Sequence, residues 1–94
     1  MGIDEDALIA QYVEENPRFP GAARAWLIKS GVPVWALVGY FQRALGGDTG
    51  HPDPAHIAQV AADYELPADA IQAALAYYRR HRRPIDERIA DSVA

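Results

Sequence analysis

Chemistry is most concentrated in the stretch PADAIQAALAYYRRHR, Pro67–Arg82. A glutamine amide such as that of Gln72 can pair bidentately with adenine, and an alanine such as Ala73 can meet a thymine methyl. Arginines such as Arg79 and Arg80, one or two helical turns later, can hold backbone phosphates. If this stretch is a helix entering a DNA major groove, Ala68, Asp69, Gln72, Ala73 and Ala76 are its outward positions and those near its N-terminus meet base edges. Asp69 repels phosphate unless it accepts from a cytosine amino group. The same residues have a plainer reading. Gln72 is then solvated surface, and the arginines complement the negative end of the helix dipole. The small alanines permit close approach to DNA or to another helix.

The remaining candidates are thinner. His51 and His56 lie near Asp53, and His81 follows the arginines. With no cysteine in the chain, a zinc site would lack its third and fourth ligands. Ser30, Thr49 and Ser92 have no base at a recognisable spacing. The carboxylate pairs Glu14-Glu15 and Asp86-Glu87 are adjacent, so on helices they point in different directions and form no acid/base couple. The glycines near residues 46–50 follow no strand and precede no Lys-Ser/Thr, so they read as a turn, not a phosphate cradle. The chain reads as a non-enzyme without a cofactor.

The elements that must position the candidates centre on Ile57–Tyr78. Ile57, Val60, Ala61 and Tyr64 recur at helical spacing, and Ile71, Ala74, Leu75 and Tyr78 repeat it. Each set makes one apolar helix face. Only Glu65-Leu66-Pro67 separates them, a break short enough to hold the helices in contact as a helix-turn-helix pair. Ala61 permits the close approach, and Leu66 and Ile71 fall at core positions. Such turns usually carry glycine because the backbone has φ > 0. Glu65 occupies that place here, so a turn of different construction is expected.

Before this pair, Ile3–Glu15 reads as a helix with Leu8, Ile9, Tyr12 and Val13 on its apolar face. Its early acids suit the positive end of the dipole, and Pro17 ends it. Ala22–Ser30 alternates like a short strand and also fits a helical turn. A lone strand needs a mate, and a second copy of the chain is a natural one. Pro33 opens a helix over Val34–Leu45, with Val34, Leu37, Val38 and Phe41 buried and Trp35 off the stripe. Gly46-Gly47 stops it. Asp53-Pro54 caps and opens the first helix of the pair. Pro84 separates the second from a short helix, Ile85–Asp91, whose Ile85 and Ile89 dock on the core or on a partner. The chain divides into residues 1–32, a helix and extended arm, and residues 33–94, the helix-turn-helix core with its C-terminal helix. The fold expected is an all-α bundle.

At 94 residues with half of them hydrophobic, the chain suits one small folded domain. The net charge of -4 argues against indiscriminate nucleic-acid binding. It is unevenly spread, with Asp4, Glu5, Asp6, Glu14 and Glu15 early and Arg79, Arg80, Arg82 and Arg83 late. No apolar run has the length of a membrane span. The early acids exclude a secretory signal, and a cytoplasmic location is expected.

The segments SGVPVWALVGYFQ (Ser30–Gln42), VAADYELPADAIQAALAYYRRH (Val60–His81) and PIDERI (Pro84–Ile89) resemble small bacterial proteins carrying the domain of unknown function 433. The matching positions are Tyr64, Leu66, Pro67, Ala70, Ile71, Ala73, Ala74, Leu75, Tyr77, Tyr78, Ile85 and Asp86. The usual Gly-Thr-Arg run before the Val-Pro step is Ile28-Lys29-Ser30-Gly31 here. The resemblance implies a homeodomain-like helix-turn-helix and a likeness to VapB-type antitoxins. Such a protein would bind its operator DNA as a homodimer and neutralise a PIN-type ribonuclease toxin. The alternative is a module that binds its partner without sequence-specific DNA contact.

Overall fold

A computed structural model describes residues 4–93. Asp4 begins the chain's first helix, α1 (Glu5–Tyr12), by accepting hydrogen bonds from the Asp6 and Ala7 amides at 3.0 and 3.3 Å. Those bonds satisfy amides that have no partner inside the helix. The expected start at Ile3 lies outside the described residues. The expected end at Glu15 comes too late, because the backbone turns extended at Val13. β-branched Val13 and its neighbour form β1 (Val13–Glu14), which pairs antiparallel with β2 (Trp26–Leu27). Val13 faces Leu27 and Glu14 faces Trp26, whose indole donates to Glu14 Oε1 at 2.9 Å.

The ambiguous Ala22–Ser30 stretch is both things in turn: a single 3₁₀ turn at Ala22–Arg24, then β2. The second edge of β2 is occupied as well. Leu27 N donates to Val32 O at 2.8 Å and Val34 N to Ala25 O at 2.9 Å. The strand therefore finds its mates within the chain on both edges and needs no second copy to pair with.

Helix α2 (Val34–Arg43) buries Val34, Leu37, Val38 and Phe41, the stripe expected from spacing. Helix α3 (Pro54–Tyr64) starts with Asp53 Oδ1 accepting from Ala55 N at 2.8 Å and buries Ile57 and Val60. The turn after α3 is not of a different construction. Glu65 itself adopts the left-handed conformation, φ 55° and ψ 47°, and Leu66 N closes back onto Ala61 O at 2.9 Å. This is the usual way to end a helix sharply, with glutamate where glycine is common. Glu65→Gly is therefore expected to stabilise the fold by about 0.5–1 kcal/mol, because relief of the left-handed strain exceeds the added chain entropy. Urea denaturation would show the midpoint moving up; a downward shift would mean that Glu65 is unstrained.

Helix α4 (Ala68–Arg80) is the centre of the molecule. Ala70, Ile71, Ala73–Tyr78 are all buried, since α1, β1, α2, α3 and the last helix pack around it. His81 breaks it, and α5 (Arg82–Val93) follows. Pro84 falls in the first turn of α5, not before it, where a missing N–H is harmless. Ile85 and Ile89 are buried, and α5 lies on α2 and the 3₁₀ turn. Arg88 covers the Trp35 ring at 4.9 Å, giving the off-stripe indole its neighbour. One core unites residues 1–32 with 33–94: Val13, Ala25 and Leu27 belong to the same cluster as Phe41, Ile71, Leu75 and Ile85. The result is a small, mostly helical domain with a two-stranded ribbon.

Candidate functional site

The expected DNA-contacting residues separate into three groups. Ala68 and Asp69 are exposed at the N-terminal end of α4, and Gln72 is half-buried. Ala73 is completely buried and Ala76 is 1% exposed, so neither can touch a base. The physical reason is the covering of α4 on a second side. Alanine is compatible with either environment, and here α4 has neighbours on nearly all sides.

Arg79 and Arg80 are already engaged. Arg79 Nη2 pairs with Glu5 Oε2 at 2.9 Å, and its Nη1 donates to the backbone carbonyl of Thr49 at 3.0 Å. Arg80 pairs with Asp6 and, at 3.4 Å, with Glu5 Oε1. The acidic start of the chain thus closes onto its basic cluster. Both charge blocks are visible in the sequence, but their meeting is not, because it depends on how α1 folds back onto α4. The hydrogen bond to Asp6 is the main cause raising the Arg80 pKa above its ordinary value.

Between α1, α3 and α4 runs a groove of about 590 Å³. Leu8, Ile57, Leu75 and Ala76 line it, with Gln72 on its wall and Glu5 and Arg79 at one end. Gln72, Ala76 and Arg79 share one face of α4 at helical spacing. The face on which base and phosphate contacts were expected is therefore the α4 wall of this groove, and α1 forms the opposite side.

Other polar groups serve structure. The Tyr78 hydroxyl donates to Asp86 Oδ1 at 2.7 Å, tying α4 to α5, and burial is the first cause that raises its pKa. His56 packs edge-on against Phe41 with ring centroids 6.0 Å apart, and His81 lies against Tyr77 at 4.4 Å. His51 is exposed in the loop. Among the described residues, no group of three His, Asp or Glu side chains is placed to hold a metal ion. No helix among them is long and apolar enough to cross a membrane.

On the outer side of α2 and α3, the Tyr40 hydroxyl donates to Asp63 Oδ2, and Gln59 Nε2 donates to both Asp63 oxygens at 3.0 and 3.1 Å. The Tyr40 bond first, and then the Gln59 bond, hold the Asp63 carboxyl below its ordinary pKa. The Asp63 bond is also the first cause raising the Tyr40 phenol. The Asp63 contribution to stability is present above its unfolded pKa and disappears as pH falls through the lowered folded value. The Tyr40 contribution is present below its unfolded pKa and disappears as pH rises through the raised one. Tyr40→Phe is expected to move the Asp63 pKa up toward the ordinary aspartate range. A carboxyl carbon NMR titration measures it; an unmoved Asp63 would remove Tyr40 as the cause.

No family model, curated protein or solved structure matches the chain. Most of the positions compared above with the domain of unknown function 433 serve the packing of this fold. Ala70, Ile71, Ala73, Ala74, Leu75, Tyr77, Tyr78 and Ile85 are core residues, and Asp86 holds the Tyr78 hydroxyl. They describe how α4 is packed and how α5 is attached to it. None of these eight core residues offers a ligand a free surface group.

Proposed function

We propose that the chain is a protein-interaction module, the partner-binding member of an antitoxin-like pair, with a PIN-like ribonuclease toxin as partner. One observation carries this reading: the helix that would enter DNA is the central helix of the fold, with Ala73 and Ala76 buried against its neighbours. Asp4, Glu14, Glu15 and Asp69 are all exposed and acidic. Together with the net charge of -4, they favour a basic protein surface over a phosphate backbone. Ile85 and Ile89 are committed to the core, so those two side chains are not available to a partner. Co-purification with the product of the neighbouring gene tests the proposal. A complex that weakens as salt rises, and weakens further in Glu14→Gln/Glu15→Gln, is expected. A complex indifferent to both would overturn it.

A second reading is favoured by the turn between α3 and α4. Its left-handed Glu65 and close Leu66–Ala61 contact suit a homeodomain-like helix-turn-helix, with Ala68, Asp69 and Gln72 leading. In that reading a cytoplasmic homodimer binds operator DNA. A gel shift with the promoter of its own operon separates the readings: salt-sensitive, sequence-preferring binding, relaxed by Gln72→Ala, supports operator recognition. No shift at low salt leaves the interaction module alone.

A further inference from the structure

We infer that Glu5 and Asp6 are internal substitutes for nucleic-acid phosphates, and that α1 keeps a backbone-binding site at Arg79 and Arg80 closed. The inference rests on the nucleic-acid reading for the identity of the displacing ligand, and beyond that reading it names a device that regulates the site. A guanidinium accepts a carboxylate and a phosphate through the same fork of N–H donors. The two arginines therefore hold, in this structure, anions of the kind a nucleic-acid strand would bring. Arg79 is pre-positioned for exchange. Thr49 O fixes its Nη1 from the loop before α3, leaving Nη2 to the exchangeable carboxylate. Arg79 also follows Gln72 and Ala76 along the wall of the groove, so the closed site continues the face whose other end carries Ala68 and Asp69.

The carboxylates of the cover are open to water. Glu5 and the Arg80 side chain are each 42% exposed and Asp6 is 79% exposed. Ion pairs so open to water contribute little and are screened by salt. No residue of α1 is fully buried, and Leu8, Ile9 and Tyr12 pack against the core while partly exposed. The helix has eight residues, too few to persist in water without its docking surface. Both carboxylates lie in its first turn, so swinging them aside requires fraying of that turn only.

The test is fluorescence anisotropy with a labelled random-sequence DNA duplex and, separately, with the promoter fragment of the chain's own operon. Glu5→Gln/Asp6→Asn should bind the random duplex at least about tenfold more tightly than the wild type at low salt. Its plot of log affinity against log salt should steepen by about 1.8, the release of counterions from two newly neutralised phosphates. Adding Arg79→Ala/Arg80→Ala should abolish the gain. Glu15→Gln/Asp91→Asn, which changes net charge equally but leaves the arginines covered, should show much less of it. Circular dichroism of each variant establishes that the core is folded. Equal gains in the two charge-matched variants, or none in Glu5→Gln/Asp6→Asn, would overturn the inference. Tight promoter binding by the wild type without a gain in that variant would overturn it while sparing the nucleic-acid reading. A gain on the random duplex without promoter preference in either form would support it and remove operator recognition.

Discussion

Ile85→Ala is expected to destabilise the fold by about 3 kcal/mol, within the range for truncating a large buried aliphatic side chain. Ile85 is completely buried, one helical turn from Ile89, and together they hold α5 on α2 and the 3₁₀ turn. Two terms add. The removed methyl and methylene groups lose their transfer free energy, and the space they leave is lined by a core that relaxes only partly. For a domain of this length the midpoint of thermal unfolding should fall by on the order of 15 °C. The competing view, in which Ile85 belongs to an arm waiting for a partner, predicts a change within about 0.5 kcal/mol, as for ordinary surface substitutions. Urea denaturation decides between them. The same logic applies to removal of residues 85–94: it should unfold the chain, and a loss of partner binding in that truncation would report lost structure.

Gly47→Ala is expected to cost about 2 kcal/mol, although it looks innocuous. The backbone at Gly47 is not left-handed, so no conformational penalty excludes alanine there. The obstacle is a neighbour. A Cβ built on Gly47 would stand 2.2 Å from Phe41 Cε1 and 2.5 Å from Cδ1. Phe41 is completely buried at the end of α2, and His56 meets its ring edge-on, which limits how far it can move. Gly47 cannot readily move either, because its amide donates to Phe41 O at 2.9 Å. Overpacking of this kind costs about 1–3 kcal/mol, against about 0.4–1 kcal/mol gained from a less flexible unfolded chain. The check is a double-mutant cycle with Phe41→Leu. The smaller side chain should accommodate the new methyl, making the pair less destabilising than the sum of the single changes. Strict additivity would mean that the clash is relieved elsewhere.

Apolar spacing was enough to locate α2, α3 and α4 and to name Ile71, Leu75 and Phe41 as core, because a helix with one buried stripe writes that stripe at i, i+3, i+4. It was not enough for α4 as a whole. Ala73 and Ala76 lie off the stripe and are buried nonetheless, since α4 is covered on more than one side. Alanine gives no warning of this, being equally at ease in water, against a helix or against DNA. The end of α1 was missed for a related reason: Val13 fits the helical stripe of Leu8, Ile9 and Tyr12, but pairing with Leu27 decides its conformation. Glu65 shows the opposite case. The sequence marked the position where a left-handed residue belongs, and the fold imposes that conformation on a side chain that resists it. In the candidate site, the arginines were legible as charges while their partners were not. Glu5 and Arg79 are far apart in the chain, and no local rule joins them.

That separation bears on the order in which the molecule assembles. Helices α3 and α4 are adjacent in the chain and pack on each other, so they can pair at little loop-closure cost. Docking of α1 on α4 closes more than half of the chain into a loop and returns half-buried contacts and partly exposed ion pairs. It should be the last step of folding and the first to reverse. Native-state hydrogen exchange would then find two classes of amide. Those of α4 exchange only through global unfolding, and those of α1 exchange through a local opening of much lower free energy.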